Sequence, residues 1–122
     1  DPDIIIGDMD SLPKKLMKEY SNISVREEEQ ETNDQTKAFR YLLKHWPEVK
    51  TVHVLGATGK REAHTIGNLG QIMEYARLYA ASGNPAEDEV YVDVVSDYST
   101  AFALTDSCKL FVGEGRAVSI FR

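Results

Sequence analysis

The sequence predicts an α/β protein built on an open, mostly parallel sheet, and three observations carry that expectation. Short strand-like runs rich in β-branched residues recur at 4–6, 51–55 and 90–95, and the continuous apolar run at 4–6 is the pattern of a strand covered on both faces. Segments of helical period separate them, and alternation of strands with helices is the signature of parallel sheets. The strand candidates also run straight into polar turns, which is where open α/β sheets bind ligands.

Taken in order, Ile4 to Ile6 form the first strand and stop at Gly7. Ser11 is placed to N-cap a short helix with Pro13 in its first turn and Leu16, Met17 and Tyr20 free to pack. Ile23 to Val25 form a second strand, followed by the acidic run "REEEQE". Phe39, Leu42, Leu43 and Trp46 then fall at i, i+3, i+4 and i+7, one stripe of an amphipathic helix. Asn33 or Asp34 is its cap, and Pro47 ends it at Trp46. "TVHVLG" is the third strand. A long helix follows, with Ile66, Leu69, Met73, Ala76 and Ala80 in helical spacing up to Gly83 and Asn84-Pro85. "EVYVDVVSD" is the fourth strand, and shorter β segments are expected around "TAFALT", "KLFV" and "AVSIF". The result is a Rossmann-like open sheet with flanking helices and C-terminal antiparallel β additions leading into a β-rich domain.

A chain of 122 residues holds one domain. Its net charge is −6, and the only basic pairs are Lys14-Lys15 and Lys60-Arg61, which argues against nucleic acid as a partner. A single cysteine, Cys108, excludes an internal disulfide and fits a reducing compartment. No apolar run has membrane-spanning length and no signal-peptide pattern is present, so no membrane is expected and a cytoplasmic location is. The chain enters a strand almost at its first residue and stops inside another apparent strand, which reads as part of a larger polypeptide.

Three polar clusters stand at strand ends. In Gly7-Asp8-Met9-Asp10-Ser11 the two aspartates are two apart, and in an extended segment both would point one way. Carboxylates brought together repel, and a divalent cation relieves them. Gly7 permits close backbone approach, while Ser11 can bond a phosphate or cap the next helix. The same pair also serves simply as an acidic turn before a helix. In "QETNDQTKA", Glu31 and Asp34 could hold a second edge of a metal–phosphate assembly, with Lys37 offsetting its charge. Acidic groups at a helix N-terminus equally complement the helix dipole. In "GATGKREAHTIGN", Gly56, Thr58 and Gly59 turn the chain into a helix whose N-terminus attracts anions. It is not a P-loop, because the glycines are too close together and Arg61 stands where Ser or Thr belongs. Arg61, His64 and Asn68 present polar groups on the first turns, with His64 and Asn68 one turn apart. His45 and His53 carry no ligand or triad pattern, and Cys108 has no activating cation nearby in sequence.

In this order, "PDIIIGDMDSL", "ETND" followed by "TKAF", "GATGKREAHTIGN" and the closing "VSIF" resemble the catalytic domain of thiamine pyrophosphokinase over essentially the whole chain. The resemblance implies Mg²⁺-dependent transfer of pyrophosphate from ATP to the hydroxyl of thiamine, giving thiamine diphosphate and AMP, by a homodimer. It places the catalytic α/β domain, without its N-terminal strands, at 1–112, and the start of a thiamine-binding β-sandwich at 113–122. Carried over, Asp8, Asp10 and Asp34, with Glu31 beside them, would hold Mg²⁺ and the triphosphate. Ser11, Lys37, Thr58, Gly59, Arg61, His64 and Asn68 would line the nucleotide and substrate pocket, and Ser119 would sit close to thiamine. The chain departs from the family at Glu31, usually Asp, at Asn33, usually Thr, and at Ala63, where the family carries an aspartate. Ala63 removes a carboxylate from the pocket. Two other readings remain: a haloacid-dehalogenase-type phosphatase using Asp8 as nucleophile with Asp10, and a non-catalytic nucleotide- or thiamine-binding remnant.

Overall fold

The computed structural model describes residues 1–28, 32–59, 61–81, 91–104, 107 and 109–121. Among the described residues, five strands and three helices follow in the order β1 (Ile5–Gly7), α1 (Lys14–Glu19), β2 (Ser24–Arg26), α2 (Asp34–His45), β3 (Thr51–Leu55), α3 (Glu62–Ala81), β4 (Tyr91–Val95) and β5 (Thr100–Phe102). The mixed α/β class therefore holds. The strands form two hydrogen-bonded sheets, β1–β2 and β3–β4–β5, in place of a single one. Pairing is parallel in β1–β2 and β3–β4 and antiparallel in β4–β5, with Gly7 opposite Arg26 and His53 opposite Asp93. The outer edge of β3 borders a groove of about 350 Å³ whose other wall includes Gln35, Ala38, Phe39 and Leu42 of α2.

The core lies where α2 and α3 meet the larger sheet. Phe39, Ala57, Ile72, Tyr75, Val92 and Val94 are buried, and Leu43, Val52, Val54, Leu69 and Leu78 pack against them. α2 forms as its sequence directs. Asn33 caps it by accepting the Thr36 N–H at 2.9 Å, and Trp46 closes it ahead of Pro47. Its apolar stripe buries Phe39, whose ring stacks on Tyr75 with centroids 4.3 Å apart.

Three local expectations are corrected. Pro13, not Ser11, occupies the cap position of α1, with no side-chain cap, because the chain first makes a turn in which Leu12 N–H donates to the Met9 carbonyl. α3 buries Ile72 and Tyr75, while Ile66 and Met73 face outward at 71% and 52% exposure. The buried face is set by Tyr75, whose hydroxyl is satisfied inside by Thr36 and Gln71, so an aromatic alcohol takes the place expected of an aliphatic. The β segments expected around "KLFV" and "AVSIF" are not strands; residues 109–121 run exposed, and among the described residues they gain no pairing partner. Glu31, Cys108 and the expected helix end at Gly83, Asn84 and Pro85 lie outside the described residues. No helix among the described residues is long and apolar enough to cross a membrane.

Candidate functional site

The loops after β1, β2 and β3 meet at the carboxyl ends of the parallel strands. Asp8 and Asp10 do not share a focus through an extended pleat, as the sequence suggested. Met9 between them adopts φ 68°, a left-handed conformation that strains a side-chain-bearing residue by about 1–3 kcal/mol. Asp8 Oδ1 accepts the Asp10 N–H at 3.0 Å, so a side-chain-closed turn presents the pair. Both aspartates still line one cavity of about 280 Å³, together with Met9, Met17, Ser21, Ser24 and Arg26. Ser11 is exposed beside them.

The second loop reaches the first through Gly7. A Cβ on Gly7 would lie 3.2 Å from the carboxyl carbon of Asp34, and the residue's φ of 154° adds strain for any side chain. Glycine here is what lets the Asp34 carboxylate sit against the end of β1. Lys37, almost fully buried one turn later, sets its ammonium 3.6 Å from Asp34 Oδ1 and donates to the Glu27 carbonyl at 3.3 Å. That ammonium is thus anchored between the end of β2 and the start of α2, where it offsets the Asp34 charge.

The third loop joins through amides. Asn33 Nδ2 donates to Asn68 Oδ1 at 3.1 Å, and Asn68 Nδ2 donates to the Ala57 carbonyl at 2.9 Å. Ala57 is buried, and Gly56 and Gly59 flank it with φ of 71° and 89°, so the turn needs residues free of the Cβ penalty. Thr58 is half-buried; Arg61, Ala63 and His64 are exposed at the start of α3, where the Arg61 carbonyl accepts the Thr65 N–H. The structure thus brings together Asp8, Asp10, Asp34, Lys37, Thr58 and Asn68 through linked loops. Ser119 lies in the exposed 109–121 segment, and among the described residues no hydrogen bond ties it to these loops.

No three histidine, cysteine or carboxylate side chains among the described residues converge closely enough to hold a metal ion by themselves. That arrangement still fits Mg²⁺, which usually takes one or two carboxylates and fills its remaining positions with water and substrate phosphate oxygens. The donors at hand are hard oxygens, as Mg²⁺ requires, and the Cβ-free space at Gly7 admits the Asp34 carboxylate.

Two features escaped the sequence. His53, read as bland, bonds through Nδ1 to Asp93 Oδ1 at 2.7 Å, and Asp93 is 4% exposed. Only the β3–β4 register brings these residues opposite each other. Burial pushes the Tyr91 phenol above its ordinary pKa, and the nearby Asp93 charge adds to that shift. Arg26, at the tip of β2, lines the Asp8–Asp10 cavity, although nothing in its sequence context marks it.

Residues 1–81 match the family model for the catalytic domain of thiamin pyrophosphokinase. The chain is 29% identical over 85 residues to thiamine pyrophosphokinase 1 of Oryza sativa subsp. japonica, covering 63% of this chain and 32% of that protein. It superposes on the crystal structure of a thiamin pyrophosphokinase from Geobacillus thermodenitrificans with a TM-score of 0.55 and 26% identity, over 77% of this chain and 39% of that one. A protein from Lactobacillus plantarum shares the fold at a TM-score of 0.54 and 19% identity, over 77% of this chain and 42% of that one. The chain thus spans about a third of the length of the curated relative it matches. A family match over residues 1–81, covering all three linked loops, settles the assignment: the chain belongs to the thiamin pyrophosphokinase catalytic-domain family.

Proposed function

We propose that this chain carries the nucleotide site of a thiamine pyrophosphokinase, which moves pyrophosphate from ATP to the hydroxyl of thiamine and yields thiamine diphosphate and AMP. The observation that supports it most is the junction of the three loops, with the Asp34 carboxylate against Gly7 and Asn33 bonded to Asn68. Transfer of this kind depends chiefly on positioning and charge neutralisation. Of the carboxylates the resemblance assigns to Mg²⁺ (Asp8, Asp10, Asp34 and Glu31), one or two would bind the ion directly and the others through its waters; when bound, the ion offsets phosphate charge. Lys37 fixes the Asp34 carboxylate in place. Asn68, which donates to the Ala57 carbonyl and accepts from Asn33, ties the third loop to the second, and in this reading Thr58, Gly59, Arg61 and His64 would contact the nucleotide or substrate. Ser11 adds a hydroxyl beside Asp10, and Ser119 belongs near thiamine.

In this reading residues 1–112 form a Rossmann-like catalytic domain and 113–122 lead into a β-rich thiamine-binding domain. The working protein is a cytoplasmic homodimer. Ala63 stands exposed one residue before His64 at the start of α3, so a carboxylate returned there would be open to solvent and to a ligand.

Asp10→Asn in the full-length protein tests the proposal. The side chain is exposed, so the melting temperature should hold, while AMP formation with thiamine, ATP and Mg²⁺ should fall on the order of 100-fold or more. Wild-type activity in that variant removes Asp10 from the site. Phosphate release from a simple ester without thiamine would favour the phosphatase reading instead.

A further inference from the structure

Arg26 has no part in the family motifs, yet its position is that of a substrate-binding group. It ends β2 directly opposite Gly7, and among the described residues it is the one cation lining the Asp8–Asp10 cavity. Its guanidinium is engaged only lightly: Nε lies 3.2 Å from Glu28 Oε1, and both side chains are largely exposed. Such a pair contributes little to stability and exchanges readily. The contact uses Nε, leaving the two terminal amino groups to form a fork that matches phosphate oxygens.

The neighbouring cations are differently placed. Lys37 is committed to Asp34 and the Glu27 carbonyl, and Arg61 stands at the start of α3 beside the third loop. On the cavity side, Asp8 and Asp10 face a polyphosphate with like charge, and Ser24 has already given its hydroxyl proton to the Tyr20 carbonyl at 2.7 Å. Among the described residues lining that cavity, an anion entering beside the aspartates therefore meets one positive group, Arg26.

We infer that Arg26 is a further substrate-binding residue of this site, a phosphate-binding arginine that swings from Glu28 onto the nucleotide's phosphate chain. The inference rests on the nucleotide-site reading above. Calorimetric titration of Mg²⁺–ATP, and separately of adenosine, into wild type, Arg26→Met, Arg26→Lys and Asp10→Asn tests both. Arg26→Met should raise the Kd for Mg²⁺–ATP roughly tenfold or more, with Arg26→Lys between it and wild type. Adenosine affinity should be unchanged in both Arg26 variants, and thermal melting should be unmoved. Arg26→Lys keeps the test open should Arg26→Met fold poorly. Wild-type Mg²⁺–ATP affinity in Arg26→Met, with Asp10→Asn weakened, overturns the arginine assignment alone. An equal loss of adenosine binding in Arg26→Met overturns it as well, because the residue would then shape the cavity instead of holding phosphate. Absence of Mg²⁺–ATP binding to the wild-type protein overturns the nucleotide site and this inference with it.

Discussion

Among the described residues, the half of the molecule made by α2, α3 and β3 to β5 contains every buried apolar side chain of the core, whereas β1, α1 and β2 contain none. In the β1–α1–β2 half only Gly7 is buried, and Leu16 and Met17 of α1 are more than a third exposed. Yet that half supplies Asp8, Asp10 and Arg26. Stability and the proposed chemistry are therefore assigned to different residues. The site half is held by backbone pairing of β1 with β2 and by the approach of Asp34 to Gly7. It can accommodate a left-handed Met9 because little packing depends on that loop.

The largest expected effect lies in the core. Tyr75 is fully buried, stacks on Phe39, and shares Gln71 Oε1 with the Thr36 hydroxyl. Tyr75→Ala opens a cavity and strands those polar groups, at a cost of about 3–5 kcal/mol in unfolding free energy. Denaturant unfolding should show it, and any loss of activity should track the unfolded fraction. Asp10→Asn is the opposite case, losing activity at constant stability. A Tyr75→Ala protein that stays as stable as wild type would break the division between the two halves.

Gly7→Ala joins them. The new methyl meets the Asp34 carboxylate at about 3.2 Å on a backbone that disfavours side chains, so either the carboxylate or β1 must shift. Loss of about 1–3 kcal/mol in stability is expected together with loss of AMP formation, and neither alone. Denaturant unfolding and the AMP assay on one preparation decide it. A variant that loses stability but keeps activity would show that Asp34 can leave Gly7 without consequence.

The same contrast explains what could be read from the sequence. α2 was legible because its information is local: a capping Asn33, an apolar stripe through Phe39 and a closing Pro47. The three loops were legible as clusters because strand ends followed by Gly, Asp and Asn are chemically marked. What failed depended on distant partners. The inward face of α3 is decided by the Tyr75 hydroxyl finding Thr36 and Gln71, and the His53–Asp93 bond is decided by strand register. The geometry of the Asp8–Asp10 turn was missed because Met9 is a residue type that rarely adopts positive φ. The tail segments have strand-like sequence, but a strand needs a neighbour to pair with, and periodicity does not supply one.

A smaller effect is expected where α2 touches both halves. Asn33 caps α2 and donates to Asn68, so Asn33→Ala removes the cap and the tie to the third loop together. The cap accounts for about 1 kcal/mol. Asn33→Thr restores the capping oxygen but not the amide donor. If the Asn33–Asn68 bond positions the third loop, the Thr variant should regain stability without regaining full Mg²⁺–ATP affinity. Recovery of both by Thr would reduce Asn33 to a cap.

The smallest expected effect is a pH dependence confined to the core half. Burial pushes the Tyr75 phenol above its ordinary pKa of 10.0, against its hydrogen bond with Thr36, which acts the other way. Tyr91 is also raised, by burial first and then by the Asp93 carboxylate. In the unfolded chain both phenols ionise near 10, while the fold holds them neutral. The unfolded state therefore gives up protons first, and stability falls as pH rises past about 10, levelling off above the folded pKa values. Denaturant midpoints measured from about pH 8 to pH 11 should decline for wild type, less for Tyr75→Phe, and least for the Tyr75→Phe, Tyr91→Phe pair. Both residues lie in the half that holds the core, so Mg²⁺–ATP affinity at pH 8 should be the same in all three proteins. If the double variant loses stability at high pH as steeply as wild type, the alkaline sensitivity arises outside these two phenols, and the core half is not where the protein is weakest to base.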